Sequence, residues 1–166
     1  MIIDLSTAKI GDVISGQEKV SLPNELLDRE GKFASDGEVD FDVVLVSENE
    51  VGVTGQIRYT ISTICDKCGE DCVYNGKCPL RATFSTTPEE DVYPFNGVEI
   101  NLEKAVHDSV ILDLPTKVLC KSDCAGLCPT CGKNLNTGKC KCKESEIEDS
   151  NPFSALRQID FSGGAE

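Results

Sequence analysis

The 166-residue sequence predicts an α+β protein, in which an antiparallel β-rich domain with a packed helix precedes a cysteine-rich C-terminal module. Three observations predict this class. Apolar and polar residues alternate through the middle of the chain, residues 102–112 place apolar side chains at helical spacing, and ten cysteines form two tight groups. We therefore assign residues 1–115 to the β-rich domain, residues 116–143 to the cysteine-rich module and residues 144–166 to an acidic tail.

Two segments before the first cysteine have the period of a half-buried strand. Residues 39–46 and 51–64 carry apolar side chains at every second position, as a strand does when one of its faces is buried. A returning strand is predicted over residues 80–84, where the alternation resumes. The first cysteine group, at residues 65–78, is then expected on the connection between two strands. Residues 1–38 have an apolar start and continue as turn-rich polar sequence.

One helix is predicted over residues 102–112, with Asn101 as its N-terminal cap. Positions at three- and four-residue steps form an apolar face that we expect to be buried. They are Leu102, Ala105, Val106, Ser109 and Val110. The single histidine of the chain, His107, falls on the opposite, polar face. Leu114-Pro115 ends the helix, because a proline disfavours the helical conformation of the residue before it.

The charge distribution separates one region from the rest of the chain. The sequence has 29 acidic and 16 basic residues and a formal net charge of -13, so most of its surface repels phosphate. Residues 114–143 differ, with six lysines against one acidic residue. Lys133, Lys139, Lys141 and Lys143 are therefore candidate contacts to RNA or to a partner. In the alternative interpretation, these lysines only offset the negative charge of nearby cysteine thiolates.

The expected compartment bears on the chemistry of the cysteines. No apolar run approaches the ~18 residues that span a membrane. The start, MIIDLSTAKIGDV, lacks the basic and apolar regions of a secretory signal. We therefore expect a cytoplasmic protein without membrane contact, where thiols stay reduced and bind metal more readily than they form disulfides.

The cysteines have the spacing of zinc ligands. The first group is Cys65, Cys68, Cys72 and Cys78, and the second is Cys120, Cys124, Cys128, Cys131, Cys140 and Cys142. A C-x2-C turn lets two thiolates reach one ion at ~2.3 Å each. Such turns occur at Cys65-Asp66-Lys67-Cys68 and at Cys128-Pro129-Thr130-Cys131. The spacing predicts a zinc-binding module with at least one structural Zn²⁺.

The assignment of ligands stays open at this point, because a zinc site needs four of the six thiolates in the second group. One set, slightly favoured because a zinc ribbon pairs two arms across a loop, is Cys128, Cys131, Cys140 and Cys142. The other set is Cys120, Cys124, Cys128 and Cys131. A second zinc in the first group would use Cys65, Cys68, Cys72 and Cys78. Iron–sulfur ligation is a further alternative for either group.

No catalytic motif emerges from the sequence. His107 has no nucleophile placed beside it, and the sequence lacks a glycine-rich phosphate loop. A C-x2-C redox enzyme is the best enzymatic alternative, but that chemistry requires the motif at a strand-to-helix junction. A zinc ion with four protein ligands also leaves no position for a substrate. We therefore expect a protein that is not an enzyme.

The sequence resembles the YceD family. The resemblance rests on Cys65-Asp66-Lys67-Cys68 after a long strand, on Leu112-Asp113-Leu114-Pro115, and on Gly126-Leu127-Cys128-Pro129-Thr130-Cys131-Gly132-Lys133-Asn134-Leu135-Asn136. The closing segment Asn151-Pro152-Phe153 also looks like the family's end. The family pattern shows only the Cys65/Cys68 pair in the first group. The resemblance implies a bacterial cytoplasmic protein needed for accumulation of large-subunit (23S) ribosomal RNA, with no established catalytic residue.

Three hypotheses follow for the function. The first is a non-enzymatic ribosome-biogenesis factor for 23S rRNA accumulation or processing, which binds rRNA, ribosomal proteins or rRNA-processing factors. The second is a thiol-redox or metal-responsive zinc protein, which would need reactive thiolates of low pKa. The third is a zinc-ribbon transcription factor.

Overall fold

The computed structural model describes residues 1–87 and 90–142, in which strands predominate and one α-helix occurs. The strands are β1 (Ile2–Asp4), β2 (Val13–Val20), β3 (Gly31–Phe33), β4 (Gly37–Ser47), β5 (Glu50–Ile64), β6 (Asp71–Ser85), β7 (Tyr93–Pro94) and β8 (Glu99–Asn101). The helix is α1 (Glu103–Asp113), and a 3-10 turn spans Asn24–Leu26. The chain divides into a first unit, residues 1–65 and 70–120, and a second unit, residues 66–69 and the residues from 121 onward.

The largest sheet described in the first unit has six strands. Five of them lie in the order β2-β4-β5-β6-β7, and β3 is the sixth. Its pairs are antiparallel except for the short parallel pair between β6 and β7. β3 pairs with the end of β5, beyond the part of β5 that pairs with β4. β1 and β8 form a separate two-stranded antiparallel sheet. The antiparallel-rich architecture predicted from the alternation is therefore confirmed.

The central hairpin is longer than the sequence indicates. β5 and β6 each contain 15 residues and pair along their whole length, from Glu50 opposite Ser85 to Ile64 opposite Asp71. Cys72 and Cys78 therefore lie within β6, whereas we expected residues 65–78 to form the connection. The connection is limited to residues 65–70. The physical reason is that the alternation continues through Cys72, Tyr74, Gly76 and Cys78, which face the same side of β6 as Leu80.

The core of the first unit lies between the sheet and α1. The inward positions of β4 and β5 match the predicted alternation, and Val39, Val43, Val51, Ile57 and Ile61 are all almost fully buried. α1 contributes Leu102, just before it, and Ala105, Val106 and Val110. Ser109 is half-buried and donates its hydroxyl to the carbonyl of Ala105.

The N-cap residue of α1 is Leu102 and not the predicted Asn101, but Asn101 still contributes a hydrogen bond from one position earlier. Asn101 Oδ1 accepts the backbone N–H of Glu103 at 3.0 Å, which satisfies one of the free donors of the first turn. The predicted helix bounds differ from the observed Glu103–Asp113 by one residue at each end. Among the described residues, no helix is long and apolar enough to cross a membrane.

Glycines opposite aromatic residues shape the inner face of the sheet. Gly76 of β6 pairs with Tyr59 of β5, and the Tyr59 ring covers the space that a side chain at Gly76 would fill. The Tyr59 hydroxyl donates to Asp113 Oδ2 at 2.8 Å, at the end of α1. Burial and this carboxylate raise the pKa of Tyr59, so the phenol stays neutral. The Gly76–Tyr59 pair thus lets a buried aromatic ring connect the sheet to the helix.

We expect Gly76→Ala to lower the thermal midpoint of unfolding, because the added methyl group would overlap the Tyr59 ring. Overpacking of this kind costs about 1–3 kcal/mol. Gly52→Ala in β5 is the matched control, since its nearest neighbour would be Val46 Cγ2 at an ordinary 3.6 Å. Thermal unfolding followed by circular dichroism measures both variants. Equal shifts in the two midpoints would contradict the proposed role of the Gly76–Tyr59 pair.

Candidate metal centres

A small backbone network shapes the second unit. Leu127 and Asn134 form an isolated antiparallel bridge. Cys128 N–H donates to the Lys133 carbonyl at 2.8 Å, and Gly132 N–H donates to the Cys128 carbonyl at 2.9 Å. Gly132 has a φ of 69°, which a residue without a Cβ adopts readily. These bonds fold residues 128–132 into the tight turn that a C-x2-C pair requires.

One cluster of four thiols in the structure consists of Cys128, Cys131, Cys140 and Cys142. The four Sγ atoms lie within 4.8 Å of one another, and the Sγ atoms of Cys140 and Cys128 are 3.4 Å apart. A tetrahedral zinc ion with ~2.3 Å bonds would place its sulfurs about 3.8 Å apart. The group therefore fits such an ion with only small side-chain adjustments.

Hydrogen bonding within this group already favours a thiolate. The backbone N–H groups of Cys131 and Thr130 lower the pKa of Cys128 to about 6. A side-chain hydrogen bond with Cys131, together with burial, raises the pKa of Cys142 to about 12. Cys128 therefore ionises more readily than Cys142. The Cys142 thiol stays protonated until a metal cation displaces its proton.

The other cluster of four thiols consists of Cys65, Cys68, Cys120 and Cys124, whose Sγ atoms also lie within 4.8 Å of one another. Cys65, Cys68 and Cys124 are buried. Cys65 N–H donates to the Glu70 carbonyl at 2.8 Å and closes the turn after β5. Two groups of four cysteines in this protein could therefore hold a metal ion.

Lys67 organises the turn between Cys65 and Cys68 within the second unit. Its Nζ donates to the Cys124 carbonyl at 3.2 Å, and its own carbonyl accepts the N–H of Leu127 at 3.1 Å. The turn at residues 66–69 is thus bonded through Lys67 to the segment that carries Cys124.

The structure brings together one of the two predicted ligand sets of the C-terminal cysteines. The slightly favoured set is Cys128, Cys131, Cys140 and Cys142, and these four lie in one group. The other predicted set, Cys120 and Cys124 with Cys128 and Cys131, is divided between the two groups.

The predicted set of Cys65, Cys68, Cys72 and Cys78 is not brought together either. Cys72 and Cys78 face the inner side of β6, where burial raises the pKa of Cys78 to about 11. The cysteines that lie beside Cys65 and Cys68 are Cys120 and Cys124, where the prediction had Cys72 and Cys78. A sequence signal for this pairing exists. The favoured set uses four of the six C-terminal cysteines, and the two that remain, Cys120 and Cys124, supply the number of ligands that the Cys65/Cys68 turn still needs.

The lysines predicted to contact RNA or a partner are exposed where the structure describes them. Lys133, Lys139 and Lys141 are exposed, and Lys143 lies outside the described residues. Lys133 Nζ donates to the Lys139 carbonyl at 3.1 Å, which holds two of these residues together. His107, on α1, places its Nε2 2.9 Å from the Ser21 carbonyl, a structural contact.

The fold and the sites define a cysteine-rich β protein with two four-thiol groups that could each hold a metal ion. A family model described as "Large ribosomal RNA subunit accumulation protein YceD" matches residues 53–160, about two thirds of the chain. The chain belongs to this family, as its sequence motifs indicate.

Curated relatives share parts of the sequence. The chain is 36% identical over 156 aligned residues to the chloroplastic large ribosomal RNA subunit accumulation protein YCED homolog 1 of Arabidopsis thaliana, covering 73% of this chain and 48% of that protein. It is 34% identical over 65 residues to the maize (Zea mays) homolog 1, covering 39% of this chain and 22% of that protein. An uncharacterised protein of Mycobacterium tuberculosis is 44% identical over 57 residues, which cover 34% of this chain and 28% of that protein.

The chain thus spans about half the length of the Arabidopsis relative and less of the other two. No solved structure matches the chain.

We expect Cys128→Ser to reduce the number of metal ions bound per chain by one, because it removes one ligand of a four-thiolate site. Cys72→Ser is the matched control, since Cys72 lies in β6 outside both groups. Native mass spectrometry counts the bound ions. The same metal content in both variants would contradict the ligand assignment.

Proposed function

We propose that this protein is a non-enzymatic ribosome-biogenesis factor required for accumulation or processing of 23S rRNA in the bacterial cytoplasm. The observation that carries the proposal is the family match over residues 53–160. The names of the plant relatives, which refer to accumulation of the large ribosomal RNA subunit, support it. The absence of a catalytic role is part of the proposal, and the closed coordination expected of a metal held by four thiolates supports it.

The metal in both groups is Zn²⁺ in this proposal. Four cysteine thiolates are the ligand set of structural zinc sites, which are closed to substrate. The low pKa of Cys128 supports this, because zinc binds the thiolate form. Bound zinc would hold the turns at Cys65–Cys68 and Cys128–Cys131 in place and would itself catalyse nothing.

The lysines of the second unit form the proposed contact surface. Lys133, Lys139 and Lys141 are exposed on the segment that follows the Cys128–Cys131 turn. The acidic remainder of the chain disfavours extended RNA binding but suits basic ribosomal proteins or processing factors. In this proposal the lysines contact rRNA phosphates, and the acidic first unit binds a basic protein partner.

One observation favours the alternative function, a thiol-redox or metal-responsive protein. The lowered pKa of Cys128 would also make a free thiolate reactive. Metal content separates the two functions. One or two tightly held zinc ions with few reactive thiols support the structural role, whereas metal-free protein with rapid, reversible disulfide formation supports the redox role.

Deletion of the gene in the organism that encodes this chain should lower the ratio of 23S to 16S rRNA, because the large-subunit rRNA would no longer be stabilised or matured. Quantitative RNA electrophoresis measures the ratio, and expression of the wild-type chain should restore it. An unchanged ratio of 23S to 16S rRNA after deletion would contradict the proposed function.

Charge reversal at Lys139 and Lys141 should weaken binding to a 23S rRNA fragment and flatten its salt dependence. The slope of log K against log salt becomes shallower by about 0.7–0.9 for each phosphate that the protein no longer neutralises. The matched control reverses Lys9 and Lys19, which are also exposed and lie in the first unit. Fluorescence anisotropy over a salt series measures both. If the two double variants behave alike, the lysines only offset thiolate charge.

A further inference from the structure

The asparagines of the Gly132–Asn136 stretch are explained neither by metal ligation nor by the lysine surface. Asn136 uses every hydrogen-bonding group of its side-chain amide. Its Oδ1 accepts the N–H of Ala125 at 2.9 Å, and its Nδ2 donates to Asn134 Oδ1 at 3.0 Å and to Cys124 Sγ at 3.3 Å. A surface asparagine without a specific role would not satisfy three partners at once.

The surroundings of Asn136 determine the orientation of its amide. The backbone N–H of Ala125 can only donate, so it must meet the amide oxygen. Asn134 Oδ1 can only accept, so it must meet the amide nitrogen. Asn134 Oδ1 is itself held by the backbone N–H of Asn136 at 2.9 Å. The second N–H of the amide therefore points at the sulfur of Cys124.

We infer that Asn136 is a positioning residue for the candidate metal centre of Cys65, Cys68, Cys120 and Cys124, through an N–H···S hydrogen bond to the Cys124 thiolate. This inference rests on the metal binding proposed above. The bond holds the Cys124 side chain in a ligating orientation and disperses part of the charge of the thiolate. Removing a hydrogen bond of this kind from a metal ligand costs about 10–100-fold in metal affinity.

The test compares two substitutions in one loop. Asn136→Asp keeps the size of the side chain and an acceptor for Ala125, but it replaces the amide donor to Cys124 Sγ and Asn134 Oδ1 with a carboxylate oxygen. Thr137→Ala is the matched control. It removes the hydrogen bond from Thr137 Oγ1 to the Asn134 carbonyl, 2.9 Å long, and this hydroxyl makes no bond to sulfur. Circular dichroism of both full-length variants establishes that they fold.

Two measurements follow on the zinc-loaded proteins. Competition with a chromogenic chelator should show about 10–100-fold weaker zinc binding at one centre of Asn136→Asp and normal binding at the other. Peptide-resolved alkylation should show faster modification of Cys124, with Cys131 unchanged. Thr137→Ala should behave as the wild type in both measurements.

The outcomes separate this inference from the proposed function. Wild-type protein that binds no metal overturns the metal binding proposed above and the inference with it. Wild-type protein that fills both centres, combined with unchanged affinity and unchanged Cys124 alkylation in Asn136→Asp, overturns the inference alone. Equal weakening in Asn136→Asp and Thr137→Ala also overturns it, because the loop rather than the N–H···S bond would then be responsible.

Discussion

The folded form of the second unit depends on its sulfur atoms. Among residues 121–142, the buried positions are Cys124, Gly126 and Cys128, so the segment has no aliphatic core. A chain segment this short cannot bury enough apolar surface to offset the entropy of ordering its backbone. Ligation of a metal by four thiolates provides the missing free energy in small proteins of this kind. The backbone turn at residues 128–132 and the side-chain amide of Asn136 both form hydrogen bonds with these cysteines.

The first unit is stabilised in a different way, by an aliphatic core in which aromatic residues have particular positions. Val39, Val51, Ile57, Ile61 and Leu80 fill the space between the sheet and α1 by the hydrophobic effect. Tyr59 is polar at one end, and its hydroxyl is satisfied by Asp113. That bond attaches the last turn of α1 to the central hairpin. It also explains Asp113 in the Leu112–Pro115 motif, which a hydrophobic pattern alone leaves without a role.

Local sequence patterns predicted the elements whose environment is simple. β4 and β5 alternate cleanly because one face of each strand is largely buried, and α1 has a single apolar face. β2 was not predicted, because most of this edge strand is exposed and Gln17-Glu18-Lys19 resembles a loop. The first half of β6 was missed because its cysteines were interpreted as metal ligands. Cys72 and Cys78 are strand residues. The grouping of Cys65 and Cys68 with Cys120 and Cys124 depends on residues distant in sequence, which spacing rules do not include.

The charge balance of the second unit limits how it can contact RNA. Residues 66–69 and 121–142 contain five lysines, Lys67, Lys121, Lys133, Lys139 and Lys141, and two acidic residues, Asp66 and Asp123. Zinc bound by four thiolates carries a net charge of about -2, so metal loading cancels much of this positive charge. Attraction to phosphate must then come from individual exposed lysines close to the phosphate and not from the net charge of the second unit. In the proposed contact, exposed lysine heads would meet phosphate directly, and screening over about 8 Å at physiological salt favours such short-range contacts. A few fixed contacts of this kind are what a factor needs if it is to bind one place on a large RNA and leave the rest of that RNA free.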